Sequence, residues 1–222
     1  MKITAVLLAA GKGNRFGEKK QFIKLKGEPL FQYSLNTLNK LDFIDNIVLV
    51  LPEEDVDRIN PPSFTPIKKV VGGKERQFSV YNALKEIEDT DIVIIHDSAR
   101  PFATENMFFQ SAENVKKGWD GSITAYKARD TIKKVKDKKV IETLNREELY
   151  IVQTPQAFDF KKLKEAHEKA LKEGFLGTDD ASVMEKYGYK VSVNPGSPLN
   201  IKITTKEDLV FANCLIKNKS PF

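Results

Sequence analysis

Cysteine and histidine are scarce in this 222-residue chain, and their scarcity removes whole classes of chemistry. The single cysteine, Cys214, excludes an internal disulfide, and its place in an apolar helical pattern predicts a small buried residue. The two histidines, His96 and His167, stand in no Cys/His cluster with zinc-ligand spacing, so a structural zinc site is not expected. A long hydrophobic run is missing too. The apolar part of "MKITAVLLAAG" is too short for a membrane span or a signal-peptide core, and no cleavage pattern follows it, which predicts a cytoplasmic location without a membrane partner. There is no internal repeat or low-complexity linker.

Charge of one sign is not concentrated anywhere. Thirty-six Lys plus Arg against 31 Asp plus Glu gives +5, but the charges are dispersed, which predicts a mixed solvated surface and no nucleic-acid platform. The densest run, "KKVKDKK" (Lys133 to Lys139), alternates around Asp137 and predicts an exposed hairpin tip.

What is present is an alternation of short Val/Ile-rich runs with longer amphipathic stretches: "KITAVLLAA", "PLFQYSLNTLNKL", "DNIVLVLP", "IKKVVGG", "ERQFSVYNALKEI" and "DIVIIHDSARP". Near-continuous apolar strands separated by helices predict an α/β fold, a doubly wound and mostly parallel sheet of the Rossmann-like type, in one domain over 1–222. Ligands of such sheets sit beyond the carboxyl ends of the strands, so Gly11, Gly72 and Asp97 are expected to converge on one crevice. After Trp119 the helical periodicity lapses, and residues 129–150 read as a projecting β-hairpin arm, too polar to bury much by itself and so expected to pack on a second subunit. Helices resume at "DFKKLKEAHEKALKEG", with Gly174 as C-cap, and at "DDASVMEKYG"; a strand, "NIKITT", and a helix, "KEDLVFANCLIKN", end the pattern.

The loop "GKGNRFG" after the first strand carries the chemistry. It has no Gly-Lys-Ser/Thr triplet, so it is not a Walker A loop. It matches the dinucleotide fingerprint at Gly11 and Gly13 but has Phe16 where close helix packing needs a small residue. A nucleotidyltransferase loop accounts for more of it: the backbone bends around a triphosphate while Arg15 supplies a fork of donors and Lys20 a point charge. Lys12 and Lys19 read as solvated surface lysines.

"LAAGKGNRF" followed by "KKQF" resembles the signature of the sugar and polyol-phosphate nucleotidyltransferases. The later segments "GGKERQFSV", "HDSARP", "RDT", "QTPQAF", "TDDAS" and "NIKITTKEDL" are similar, in order and spacing, to the 2-C-methyl-D-erythritol 4-phosphate cytidylyltransferase family, almost end to end. The resemblance implies transfer of a cytidylyl group from CTP to the methylerythritol phosphate, with Mg2+ as cofactor, in a homodimer with arm-shared sites. Residue by residue, it implies Arg15, Lys20 and Lys202 as the catalytic cations and Ala9, Ala10, Gly11, Gly13, Gly72, Gly73, Ser79, Asp97 and Ser98 around the nucleotide. Arg100, Thr131, Arg146, Thr154 and Thr178 would surround the acceptor, and Asp97 would meet the metal. Leu199 stands where some relatives carry an acidic residue, so the metal would be held mainly by phosphate oxygens and water, with Asp97 nearby. His96 reads as a hydrogen-bonder at a strand end, and Asp179 or Asp180 as a helix start. Two alternatives stay open at this point: a ribitol 5-phosphate cytidylyltransferase and a non-catalytic nucleotide-binding subunit.

Overall fold

In the computed structural model, residues 1–11 and 19–217 are described, so Lys12, Gly13 and Arg15 lie outside the described residues, as does the side chain of Lys20. In chain order the elements are β1 (Ile3–Leu8), β2 (Lys24–Leu25), β3 (Glu28–Pro29), α1 (Leu30–Leu38), β4 (Asn46–Leu51), β5 (Ile67–Val71), α2 (Arg76–Glu86), β6 (Ile92–Asp97) and α3 (Glu105–Lys116). They continue with β7 (Gly121–Lys127), β8 (Lys133–Lys136), β9 (Lys139–Thr143), β10 (Tyr150–Asp159), α4 (Phe160–Glu173), α5 (Asp180–Lys186), β11 (Val191–Pro195) and α6 (Lys206–Lys217).

The central sheet has seven strands in the order β11-β7-β10-β6-β1-β4-β5. It is parallel except at β10, which runs antiparallel to both β6 and β7. Its faces are covered separately because side chains alternate along each strand. Ala5 and Leu7 pack with Leu35 and Leu38 of α1 and with Met107 and Phe108 of α3. Val6, Val48 and Val50 point the other way, onto Val80 and Leu84 of α2 and Leu163 and Ala166 of α4. Each fully buried Val, Leu, Met or Phe among them is worth about 1.5–3 kcal/mol, so these two layers set the frame on which the loops stand.

Helix ends follow their local chemistry. Asp159 caps α4 by accepting from the Lys162 N–H, and Gly174 ends the helix at φ 67, where a glycine has no Cβ penalty. Asp179, followed by Ser182, forms a capping box at the start of α5. Helix α3 and strand β11 are elements that the sequence patterns above did not single out. In α3 the buried positions Met107, Phe108, Ser111, Ala112 and Val115 do have helical spacing.

Two expectations are corrected. The "NIKITT" stretch is not a strand: its backbone is held by Ile203 N–H donating to Ala99 O at 2.8 Å, which pins it to the loop after β6 and not to a sheet edge. Cys214 is exposed, because α6 turns Ala212, Leu209 and Ile216 toward its small core and carries position 214 away from them.

The chain leaves the sheet after β7 and returns at β10, the neck being closed by Ala128 N–H to Leu149 O at 2.8 Å. Between them β8 and β9 form a separate two-stranded antiparallel sheet in which every residue is exposed. Asp137 and Lys138, at φ 49 and 62, make its two-residue turn. Among the described residues no helix is long and apolar enough to cross a membrane.

Candidate active site

Parallel pairing of β1 with β6 sets Leu8 beside Asp97 at the carboxyl ends of both strands, so the loop from Ala9 and the loop from Ser98 open on the same side. Ser98 N–H donates to Leu8 O at 3.1 Å and ties the two exits together. A cavity of about 330 Å³ lies there, lined by Ala9, Ala10, Gly11, Gly73, Ser79, Asp97, Ser98 and Lys202 among others. A second cavity, of about 440 Å³, adjoins it and is lined by Arg100, Thr154, Thr178 and the start of α5. Arg76, Asp97 and Lys202 border both.

Close approach explains the glycines. A Cβ on Gly72 would sit 2.3 Å from Ala10 Cβ, and one on Gly73 would sit 2.4 Å from Phe78 Cβ. Glycine is what lets the loop after β5 touch the loop after β1. Ser79 accepts from the Gly73 N–H at 3.0 Å and donates to Glu75 O at 3.2 Å, so its hydroxyl braces the same turn.

The electrostatic centre is Asp97. Its Oδ2 accepts from Lys202 Nζ at 2.6 Å and its Oδ1 from Arg76 Nε at 3.0 Å, while Arg76 Nη1 donates to Asp180 Oδ2 at 2.7 Å. Burial alone would raise the Asp97 carboxyl, but Arg76 and then Lys202 outweigh it and hold the group well below the usual carboxylate range. Burial opposes the charge on Arg76 as well, yet Asp180 and Asp97 together push its guanidinium up. The Arg100 guanidinium is pushed down by burial; it donates to Asn200 O at 2.8 Å and lines the second cavity.

His96 is wholly buried. Its Nε2 lies 3.3 Å from Arg100 O, which can only accept, so Nε2 carries the proton and Nδ1 accepts from the Thr154 hydroxyl at 3.0 Å. Burial pushes this imidazole down to about 4, so it is neutral. The Thr154 hydroxyl also accepts from the Asp97 N–H at 3.0 Å. Its one donor is therefore spent on His96, and Thr154, expected around the acceptor, lines the second cavity while its hydroxyl supports Asp97 and His96.

Of the other expected residues, Thr178 is exposed at the rim of the second cavity. Thr131 and Arg146 line neither cavity; both are exposed, and Arg146 Nη1 donates to Arg129 O at 3.2 Å. Lys19 is not simply solvated: it pairs with Asp55 at 2.5 Å and Glu54 at 2.7 Å. Asp179 is the helix cap, and Asp180 is a buried partner of Arg76. Sequence patterns did not flag Arg76, Gln21 or Asn200. Gln21, 2% exposed, borders the first cavity, and neither amide atom has a partner among the described residues. Asn200 donates to Thr154 O at 3.0 Å and holds the segment that carries Lys202.

For a metal, Asp97 is the carboxylate common to both cavities, with Glu75 on the first and Asp179 and Glu185 on the second, and no group of three or more His, Cys, Asp or Glu among the described residues could cage an ion. That donor set fits Mg2+, which keeps waters and takes substrate phosphates with one or two carboxylates.

The family model for 2-C-methyl-D-erythritol 4-phosphate cytidylyltransferase matches residues 3–218. The chain is 50% identical over 206 residues to the enzyme of that name from Aquifex aeolicus, covering 93% of each chain. It is 43% identical over 226 residues to that of Halalkalibacterium halodurans, covering 99% of each. Its fold superposes on the crystal structure of 4-diphosphocytidyl-2C-methyl-D-erythritol synthase from Anaerococcus prevotii with a TM-score of 0.86 at 35% identity, covering 97% of this chain and 98% of that one. A match of this extent, on a cavity built from the carboxyl ends of β1, β5 and β6, leaves one conclusion: the chain belongs to the 2-C-methyl-D-erythritol 4-phosphate cytidylyltransferase family.

Proposed function

We propose that this chain transfers the cytidylyl group of CTP to 2-C-methyl-D-erythritol 4-phosphate, releasing pyrophosphate, as a step of non-mevalonate isoprenoid synthesis. The observation that carries the reading is the pair of adjoining cavities with Asp97, Arg76 and Lys202 in their common wall, in a chain of this family. Two anions have to meet in such a reaction, and a shared wall with a lysine in it suits their meeting.

The acceptor phosphate, a monoester with a second pKa of about 6, is already anionic at neutral pH, so its oxygen attacks the α-phosphorus without a general base. His96 accords with that: it is wholly buried, and its one accepting nitrogen, Nδ1, is taken by the Thr154 hydroxyl, so it is not placed to receive a substrate proton. Catalysis is then positioning and charge neutralisation. We read Arg15 and Lys20 as the cations of the triphosphate and Lys202 as the cation of the α-phosphate. The backbone around Ala9, Ala10, Gly11 and Gly13 would bend about the phosphates, with Gly72, Gly73 and Ser79 at the base and Asp97 and Ser98 near the ribose. Arg100, Thr154 and Thr178 would surround the acceptor. Mg2+ would be held by Asp97 and phosphate oxygens, and when bound it neutralises charge on the triphosphate.

We further read the chain as one domain whose arm, 129–150, reaches a second copy and brings Thr131 and Arg146 to that copy's acceptor pocket. The apolar side chains Val135, Val140 and Ile141, each more than half exposed on the arm, support a partner there. The single cysteine supports a reducing cytoplasm.

The test is pyrophosphate release with CTP and magnesium, comparing 2-C-methyl-D-erythritol 4-phosphate with ribitol 5-phosphate. Preference for the former is expected. Preference for the latter would move the enzyme to polyol-phosphate activation, and silence with both would leave a nucleotide-binding protein.

A further inference from the structure

Arg76 stands where helix physics disfavours it. It is the first residue of α2, no acidic residue shares its first turn, and a cation at a helix N-terminus opposes the macrodipole. A residue that breaks a local rule is held by something else in the fold. Here the holders are two carboxylates, Asp97 through Nε at 3.0 Å and Asp180 through Nη1 at 2.7 Å.

One planar guanidinium thus ties the end of β6 to the start of α5, and Asp97 extends the chain of charges to Lys202 at 2.6 Å. Asp180, with a side chain 1% exposed, is the immobile end of this chain; it also lies 3.3 Å from His167 Nε2. Lys202, 35% exposed, is its free end, at the boundary of the two cavities. The geometry divides the Asp97 carboxylate, one oxygen for each cation. Without the guanidinium both oxygens could turn on Lys202, and its ammonium would be drawn away from a phosphate by the nearest anion.

We propose that Arg76, anchored by Asp180, is a positioning residue for the transfer: it orients Asp97 and so sets where the Lys202 ammonium stands between the two cavities. This rests on the cytidylyl-transfer reading. The fork is what joins the two carboxylates, since a lysine at this position is a point charge that cannot hold both in one plane.

The test uses the full-length protein and steady-state pyrophosphate release with CTP and 2-C-methyl-D-erythritol 4-phosphate. Arg76→Met alone would strand the buried Asp180, so the informative variant is Arg76→Met with Asp180→Asn, which removes the ion pair while keeping its volume. Its melting temperature is expected within a few degrees of the wild type, with kcat lowered about tenfold or more. The KM for CTP should change less than about threefold, because the interaction lost acts on the transition state. Arg76→Lys, which keeps the charge and loses the fork, should also lose kcat; if the double variant does not fold, this one carries the test. Wild-type kcat in the folded double variant, or in Arg76→Lys, overturns the proposal. A raised KM with unchanged kcat also overturns it, by making Arg76 a substrate ligand. The wild-type control separates the two readings: a wild type that releases no pyrophosphate defeats the transfer reading itself, whereas an active wild type matched by its variants defeats only the role of Arg76.

Discussion

Asp97 and Lys202 are 105 residues apart in the chain and 2.6 Å apart in the fold, Nζ donating to Oδ2. Lys202 is brought there by a segment that belongs to no strand, held by Ile203 on Ala99 and by Asn200 on Thr154. Removal of the ammonium leaves Asp97 its second cation, Arg76. Lys202→Met is therefore expected to lower kcat by about 10²-fold while the melting temperature stays within a few degrees, since the contact we propose for it with the reacting phosphate would be lost and no buried charge is orphaned. Rates of pyrophosphate release with parallel melting curves check this; equal loss of stability and activity would count against a catalytic role.

Gly72→Ala places a methyl group 2.3 Å from Ala10 Cβ and 3.2 Å from Ser79 Oγ. The loops after β1 and β5 would have to part. A destabilisation of about 1–3 kcal/mol, the usual cost of overpacking, is expected together with a higher KM for CTP. A variant with native stability and native KM would show that this close approach has no bearing on the nucleotide cavity.

The stability of the protein should fall on mild acidification because of His96. Burial, outweighing the attraction of Asp97, lowers its pKa from 6.5 to about 4. Between those values the unfolded chain binds a proton that the folded one excludes, so the stabilisation is whole above about 6.5 and is lost progressively toward about 4, by about 3 kcal/mol. The depressed carboxylates Asp97 and Asp180 have an ordinary value of 3.8, and their contribution is lost only at lower pH. Melting temperatures recorded from pH 7 to pH 5 should decline in the wild type and flatten in His96→Asn. An equal slope in both would assign the acid sensitivity elsewhere.

Gln21 is buried with both ends of its carboxamide unpartnered among the described residues. An unmatched buried amide is costly, so Gln21→Leu should raise the melting temperature of the ligand-free protein, by an equivalent of about 1 kcal/mol. Calorimetry without CTP makes the comparison, and a lowered melting temperature would mean that the amide has a stabilising partner.

If the arm serves a second copy, Lys20→Ala and Arg146→Ala should each be inactive and should complement each other when mixed. Half of randomly exchanged dimers are mixed, and one of their two sites has both parts intact, so roughly a quarter of the wild-type rate is expected. No recovery after verified subunit exchange would place Arg146 in the site of its own chain.

Strands β1, β4 and β6 were legible because a strand buried on both faces reads as an unbroken apolar run, and the cap at Gly174 because a left-handed φ calls for glycine. Of the three residues expected on one crevice, Gly11 and Asp97 do line the first cavity, since parallel strands end on one side, whereas Gly72 lines a neighbouring pocket with Gly11 and Gly73. Arg76 was not legible. Its partners lie 21 and 104 residues away, on elements whose adjacency leaves no periodic trace. The β-prone composition of "NIKITT" misled for a related reason, because a β-prone segment becomes a strand only where a neighbour offers it a ladder.

Local rules, acting over a turn of helix or a pair of alternating side chains, determined from sequence alone the class of fold and the side of the sheet on which the loops after β1 and β6 open. Tertiary structure alone decided the rest: the antiparallel insertion of β10, the exposure of Cys214, the use of the Thr154 hydroxyl inside the protein, and the sharing of Asp97 between Arg76 and Lys202. The physical reason is common to all four. Each depends on which distant groups the packed sheet brings within a few ångströms, where charges and hydrogen-bonding groups withdrawn from water must find one another.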